Sequence, residues 1–248
     1  VARTQASYNC AHCERDFPIR FGIPDFRLAP DPYISIEAEL GKIEKLFSKG
    51  PRNFHELLEA YYDLSPENPP SLNRHYISAM DASIARGRGM LNKLISGFPG
   101  IGRGRLLDLG CGTGGMLASS SEFFANAAGV DVALRWMLIG RQRLRELGVD
   151  LPLICANAES LPFEAEAFDA VAADAVLEHV SNPPLMRDET LRVLVHGGAF
   201  IFSTNNRYSV LPEPHLRIAA FGLLPRRLME RVAMRIRRTP YKARLLSL

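Results

Sequence analysis

The sequence has few cysteines and no long apolar run, and both absences limit the class of protein. Four cysteines in 248 residues are too few for a disulfide framework, so we expect a reducing, cytoplasmic setting. No stretch approaches the roughly 18 uncharged apolar residues of a membrane-spanning helix. We find no secretory signal, internal repeat or low-complexity run. The remaining composition, 47% apolar and 23% charged, is typical of a globular protein.

Acidic residues are scarce towards the C-terminus. From Asn205 to Leu248 there are ten Lys or Arg but two Glu, a net charge of +8, whereas the rest of the chain carries −5. A basic tail favours an anionic partner such as a phosphate compound, nucleic acid or a membrane surface. The alternative is a solvated helix face. Aromatic residues that would stack on bases do not alternate with the basic ones, which disfavours RNA.

The chain divides into four segments by composition. Proline, glycine and a CxxC pair predict an irregular, ribbon-like stub first, and the Ser65–Ser71 stretch is a proline-rich linker. Apolar spacing predicts helices over 35–49, 53–63 and 72–97. We therefore predict the following segments: a stub at 1–30, a helical extension at 31–100, a cofactor-binding core at 101–204 and a basic helical lid or tail at 205–248.

Strands and helices alternate in the third segment. The predicted strands are 105–109, 127–132, 151–156, 168–174 and 198–204. The predicted helices are about 115–125, 133–147 and 184–194. Such alternation implies βαβ units with right-handed crossovers. The expected fold class is α/β, a doubly wound, Rossmann-like and mainly parallel sheet with helices on both faces.

The strongest local motif is Asp108-Leu109-Gly110-Cys111-Gly112-Thr113-Gly114, directly after the first of these strands. Glycines there let the backbone approach a ligand closely. An acid before the first glycine would repel a pyrophosphate, so a dinucleotide is disfavoured. The same acid suits the cationic amino group of an amino-acid-like cofactor. This motif predicts the methionine end of S-adenosylmethionine (SAM).

Three further polar segments follow later strands. Asp131 ends the second strand and is placed to accept hydrogen bonds from ribose hydroxyls, a feature shared with NAD sites. Asn157 begins the segment after the third strand, where a polar side chain can meet an adenine edge. Asp174 begins the segment up to His179 after the fourth. Ligands of open α/β sheets lie at this carboxyl edge, so the four segments together predict a SAM-type nucleoside site.

Residues 105–204 resemble class I SAM-dependent methyltransferases of the quinone-biosynthesis type. The resemblance rests on LDLGCGTG, GVDVA, NAESLPF with FDAV, LEHV, and RVLVHGGAFIFST. The family usually has Asp at the position of Asn157 and often Pro-Gly-Gly where this chain has His196-Gly197-Gly198. The resemblance implies that the protein is a SAM-dependent methyltransferase (EC 2.1.1.-). It also implies the following cofactor contacts: Asp108, Gly110, Gly112 and Gly114 near methionine, Asp131 on the ribose, Val132, Asn157 and Ala158 around adenine, and Tyr76 as an aromatic cover.

Candidate catalytic groups follow the fourth strand. His179 is a candidate general base because imidazole titrates near neutrality, and Glu178 precedes it. The alternative is that both residues orient the loop. Some quinone O-methyltransferases carry an E-x-x-E-H metal motif here, but Ala175 stands at its first position. The segment with Asn205, Asn206, Arg207 and His215 is expected in the acceptor lid.

The two ends lack parts that the family often has. Cys10 and Cys13, with His12 between them, resemble half of a zinc ribbon, whereas a structural zinc needs four ligands. Whether a metal binds is therefore left open. No strand pattern follows residue 204, so we expect the last two antiparallel strands of the family's sheet to be missing from this chain or to fall beyond it. The alternative is that the family pattern is broken here.

Four functions remain after this reading. The first is methylation of a small-molecule acceptor, such as a hydroxyl of a quinone-, lipid- or sugar-like metabolite. The second is an RNA methyltransferase, and the third is a membrane-surface enzyme on a lipid-like substrate, suggested by Arg among Leu, Met and Val in 223–246. The fourth is a non-catalytic binding module, which the intact glycines and Asp131 disfavour.

Overall fold

A computed structural model describes residues 7–11, 13–50, 52–65, 69–238 and 241–247. Its elements before the central sheet are β1 (Ser7–Asn9), β2 (Asp16–Arg20), β3 (Ile23–Pro24), α1 (Ile36–Phe47), α2 (Phe54–Asp63), α3 (Pro70–Asp81) and α4 (Ser83–Gly97). The central elements are β4 (Arg105–Leu109), α5 (Leu117–Ser120), β5 (Asn126–Asp131), α6 (Leu134–Glu146), β6 (Leu153–Cys155), β7 (Phe168–Asp174), α7 (Pro183–Val193) and β8 (Leu194–Ser203). The last helix is α8 (Arg226–Arg237).

The first segment is more regular than the sequence predicts. β1, β2 and β3 form a small antiparallel sheet in that order. A tight turn at Phe21 and Gly22, both with positive φ (52° and 78°), reverses the chain between the last two strands. The prediction of an irregular stub is therefore wrong for this part. Turn-forming residues here connect very short strands, which composition does not distinguish from a loop.

The predicted helix over 72–97 is two helices, α3 and α4, separated at Ala82. The hydroxyl of Ser83 donates a hydrogen bond to the Met80 carbonyl at 2.6 Å, which satisfies an orphan carbonyl where α3 ends. The break brings α4 against the glycine-rich loop, where a Cβ on Gly87 would lie 2.6 Å from the Met116 backbone. The helix predicted at about 115–125 is observed as the shorter α5, which begins after the glycine-rich loop.

The central sheet has the predicted doubly wound, parallel topology. Its five strands lie in the order β6-β5-β4-β7-β8, and every neighbouring pair is parallel. Side chains alternate between two apolar clusters, so that Leu106 packs on one face and Leu107 on the other. Strand order reverses between β4 and β7. Open α/β sheets bind ligands at the carboxyl ends of strands at this switch point.

The C-terminal segment does not extend the sheet within the described residues. It forms α8 and a separate apolar cluster that includes Phe221, Met229 and Tyr241. The backbone amide of Arg244 donates to the Glu178 carbonyl at 2.7 Å, so the segment crosses the carboxyl edge of the sheet. Among the described helices, none is both long and apolar enough to span a bilayer.

Candidate SAM site

A cavity of about 300 Å³ opens at the carboxyl ends of β4 and β7. This volume lies at the lower end of the range for small-molecule sites, about 300–1,000 Å³. Its walls come from the glycine-rich loop, from α3, α4 and α6, and from the C-terminal segment. Residues that the sequence singled out line it as follows: Tyr76, Asp108, Gly110, Cys111, Gly112, Asp174 and His215.

The glycine-rich loop needs glycine at two positions of this cavity. Gly110 has φ +78°, and a Cβ there would lie 2.3 Å from Cγ2 of Val176. Gly112 has φ +50° and donates its backbone N–H to the Asp131 carboxylate at 2.8 Å. A side chain at either position would strain the backbone. Gly114 has φ +71° but faces Leu144 and lies off the cavity wall.

Asp108 is a buried carboxyl with an unsatisfied oxygen. Its residue is 2% exposed, and Oδ2 has no hydrogen-bond partner among the described residues. Burial, followed by the charges of Asp131 and Asp174, raises the pKa of Asp108 to about 8. Unpartnered buried carboxyls are costly, so this group suits a bound cation. Neighbouring Cys111 is buried, and burial raises its pKa well above the usual value, so it acts as an apolar wall.

Asp174 carries the second carboxylate of the cavity wall. It accepts a hydrogen bond from the Ser203 hydroxyl, and the Arg86 guanidinium lies 3.7 Å away. Arg86, on α4, also lines the cavity. Arg86 was not predicted from the sequence, because a charged residue on a helical extension has no local motif. Its position depends on the way α4 packs against the loop.

Asp131 lies beside the cavity rather than on its wall. Its carboxylate accepts hydrogen bonds from the backbone amides of Gly112 (2.8 Å) and Ala133 (2.7 Å). Burial raises its pKa to about 6, although both backbone amides act in the opposite direction. These bonds join Asp131, at the end of β5, to the glycine-rich loop. A ribose contact by Asp131 remains a prediction.

The residues predicted around adenine are separated from the cavity. The Asn157 amide oxygen accepts hydrogen bonds from the backbone amides of Leu28 (2.8 Å) and Ala29 (3.1 Å). The carbonyl of Val132 accepts one from Arg27 at 3.1 Å, and Ala158 packs in the apolar cluster of one sheet face. Residues 27–29 therefore lie against Val132 and Asn157, and an adenine contact by Val132, Asn157 or Ala158 remains a prediction.

A buried ion network holds this covering segment in place. The Arg27 guanidinium lies 2.8 Å from Asp25 and 2.6 Å from Glu39. The same Glu39 pairs with Arg135, which also pairs with Asp31. All five side chains are buried. Such a network is strongly destabilised when one partner is removed.

Tyr76 lies on the cavity wall, and its hydroxyl donates to the His215 carbonyl at 2.6 Å. Its ring stacks on Tyr62 with centroids 5.9 Å apart. Burial raises the pKa of Tyr76 to about 12, so the hydroxyl stays protonated near neutrality. Both predicted roles, aromatic cover and helix packing, are compatible with this position.

Glu178 and His179 lie behind the wall of the cavity. Glu178 is 1% exposed, and its carboxylate accepts hydrogen bonds from Thr204 (2.9 Å) and Asn205 (3.0 Å). His179 shares a hydrogen bond with the Tyr33 hydroxyl at 2.9 Å and lies behind His215. Burial, with His215 nearby, lowers its pKa to about 4. This geometry favours the alternative in which both side chains hold the loop, and a catalytic role of Glu178 or His179 stays a prediction.

Metal coordination finds no support in the described residues, where no three His, Cys, Asp or Glu side chains cluster suitably. Cys13 is exposed, and His12 lies outside the described residues. The question of a metal in the stub therefore stays open.

Parallel topology, a glycine-rich loop at the switch point and a buried acid on the cavity wall fit the ligand site of an open α/β sheet. Comparison with known proteins adds a family similarity. Residues 107–202 match the family described as "Methyltransferase domain".

Two curated proteins and one solved structure illustrate the similarity. A sterol 4-C-methyltransferase of Caenorhabditis elegans is 33% identical over 38% of this chain and 29% of its own length. A ubiquinone biosynthesis O-methyltransferase of Azoarcus sp. is 34% identical over 46% of this chain and 49% of its own. The YcgJ protein of Bacillus subtilis is 26% identical over 48% of this chain and 51% of its own, with a TM-score of 0.45. The chain thus spans half or less of the length of these two curated relatives.

Proposed function

We propose that this protein transfers a methyl group from SAM to a small-molecule acceptor. The observation that carries the proposal is the unsatisfied carboxyl of Asp108 beside the backbone of Gly110 and Gly112. SAM is cationic at both its ammonium and its sulfonium groups, and a buried carboxyl with one unpartnered oxygen fits the former. Asp174 lies on the same wall, where it pairs with Arg86.

SAM, when bound, supplies an electrophilic methyl group that an acceptor attacks in line. The protein then needs to orient the two reactants and exclude water. Asp108 would hold the ammonium group, and Tyr76 and Trp136 would exclude water along the cavity wall. Asp131, Val132, Asn157 and Ala158 would take the adenosine moiety after residues 27–29 move aside. That movement would break the contacts of those residues with Val132 and Asn157.

Calorimetric titration with SAM tests the proposal, with NADH as the comparison ligand. Saturable binding of SAM alone, lost in Asp108→Asn and kept in Asp188→Asn, is the expected result. Asp188 is an exposed acid on α7, remote from the cavity, so it controls for loss of one charge. A folded protein that binds NADH and not SAM would refute the assignment.

We favour a small molecule as the methyl acceptor. The ubiquinone and sterol methyltransferases similar to this chain are named for small-molecule acceptors. We place this reaction in the cytoplasm, as the low cysteine content suggests.

Contact with a membrane surface is a second candidate property, supported by α8. Leu228 and Ile236 are 42% and 56% exposed and lie eight residues apart, on one helix face. Exposed Arg231 and Arg235 form the neighbouring face. Apolar side chains flanked by arginines suit the interface of an anionic bilayer.

Flotation with vesicles separates this property from catalysis. We expect binding to phosphatidylglycerol vesicles, little binding to phosphatidylcholine vesicles, and loss of binding in Leu228→Glu/Ile236→Glu. The matched control is Leu191→Glu, on an exposed position of α7. Equal flotation of all three proteins would refute membrane contact through α8, and SAM binding would stand unaffected.

A further inference from the structure

A histidine–glutamate pair in the C-terminal segment forms part of the cavity wall. His215 lines the cavity together with Asp108 and Asp174, although it lies more than forty residues beyond the nearer of them in sequence. Its side chain is 31% exposed, so the ring is accessible from the cavity while the partner acid is buried. The sequence analysis placed His215 in the acceptor lid but assigned it no chemical role.

Glu213 fixes the protonation pattern of the His215 ring. Its Oε1 lies 2.5 Å from Nδ1 of His215. A carboxylate accepts hydrogen bonds, so Nδ1 carries the proton in the neutral ring. Nε2 is then the lone-pair nitrogen, and it makes no hydrogen bond to any residue that the structure describes. A lone-pair nitrogen held beside a cavity is the arrangement that a general base requires.

The rest of the turn holds both side chains in place. Oε2 of Glu213 accepts hydrogen bonds from the backbone amides of His215 (2.9 Å) and Leu216 (2.7 Å). Oε1 also accepts one from the Tyr241 hydroxyl at 3.2 Å. On the opposite side, the ring of His179 packs edge-on against His215 with centroids 5.0 Å apart.

Charged and titratable groups reach His215 from several elements. They are Glu213 in its own turn, Glu178 and His179 after β7, Tyr76 on α3 and Tyr241 in the C-terminal segment. Burial lowers the pKa of His215, but the hydrogen bond and the charge of Glu213, with the charge of Glu178, raise it above 6.5 overall. The pair therefore stabilises an imidazolium that forms during a reaction.

We propose that His215, oriented by Glu213, is the general base that removes the proton of an acceptor hydroxyl, so that the acceptor is a hydroxyl compound. This inference rests on the proposed methyl transfer. The O–H bond breaks and its proton moves to Nε2. The acceptor oxygen forms a bond to the methyl carbon, and the C–S bond breaks, leaving its electron pair on the sulfur of S-adenosylhomocysteine. The imidazolium then releases the proton to solvent. Already ionised acceptors need no such base.

The test compares two probe acceptors of different acidity, 4-hexylcatechol and 4-nitrocatechol. At about pH 8 the nitro compound is largely ionised and the alkyl compound is not. We expect His215→Gln to lower kcat for 4-hexylcatechol by about 100-fold or more, the usual worth of a general base. The loss for 4-nitrocatechol should be less than about 5-fold, because its oxygen is already deprotonated. His196→Gln, an exposed histidine on β8, should match the wild type with both probes.

Two further readouts distinguish a base from a structural residue. The rise of kcat/KM with pH should have its midpoint at a higher pH in the wild type than in Glu213→Gln, because Glu213 raises the pKa of His215. Imidazole added to His215→Ala should restore part of the lost activity. Thermal melting and SAM titration of each variant check that the fold and the cofactor site are retained.

Different results separate the proposed methyl transfer from the role of His215 as a general base. A wild-type protein that fails to bind SAM refutes the proposed function itself. SAM binding without methylation of either catechol overturns the hydroxyl assignment. Equal losses with both catechols in His215→Gln, without rescue by imidazole, overturn the role of His215 as a base.

Discussion

Replacement of Asp108 by Asn should stabilise the protein while removing its cofactor affinity. The pKa of Asp108 is raised from 3.8 to about 8. Between these values the unfolded chain has released the proton and the folded chain keeps it. Stability therefore falls as pH rises through this window, by about 1.4 kcal/mol per pH unit. The penalty at pH 7 is then at most about 4 kcal/mol, and Asn does not incur it.

Urea denaturation of the SAM-free protein at several pH values measures this effect. The free energy of unfolding of the wild type should decrease between about pH 5 and 8 relative to Asp108→Asn, and the two should converge near pH 4. The Asp188→Asn protein, changed at an exposed acid, should follow the wild type throughout. A less stable Asp108→Asn variant at pH 7 would refute the argument that this carboxyl is unsatisfied.

Binding of SAM should be coupled to release of the proton from the Asp108 carboxyl. An ammonium group beside Asp108 favours its ionised form, so binding releases about one proton near neutrality. Affinity for SAM should therefore rise with pH, by up to about tenfold per unit below pH 8. Calorimetry in buffers of different ionisation enthalpy measures the released proton. Binding without proton release would contradict the placement of the ammonium group at Asp108.

Three further predictions follow from individual residues. Arg27→Met should lower the free energy of unfolding by about 3–5 kcal/mol in urea, because it removes one cation from a buried ion network and leaves the buried acids in excess. Exposed Arg187→Met should have little effect. Gly110→Ala should weaken SAM binding at least about tenfold by calorimetry, while Gly148→Ala, with positive φ but open space, should leave it unchanged and cost about 1 kcal/mol in stability. His179→Gln should reduce kcat by less than about tenfold, since the His179 ring lies behind the cavity wall. A larger loss of kcat in a folded variant would support a catalytic role of His179.

The central fold was predictable because its signals are local. A short apolar stretch at 170–173 marks the strand predicted at 168–174, and β7 has the same bounds. The glycine-rich loop was equally recognisable, since an acid and glycines directly follow an apolar strand. The break between α3 and α4 was not, because Ala82 carries no turn signal and the separation depends on packing against the loop.

Contacts between distant parts of the chain have no local signal in the sequence. Asn157 bonds the backbone of Leu28, 129 residues earlier, and no local pattern indicates that pairing. Likewise His179 follows a core strand and appeared catalytic, whereas the folded C-terminal segment puts His215 between it and the cavity. Sequence motifs located the methionine end of the site, but the tertiary packing of both flanking segments determines which side chains reach it.

Calorimetric titration of SAM into the full chain, with NADH as the comparison, tests the central claim most directly. Saturable SAM binding that depends on Asp108, releases about one proton near pH 7 and has no counterpart with NADH is the predicted result. A folded protein that does not bind SAM, or that binds it equally well after Asp108→Asn, would contradict the account.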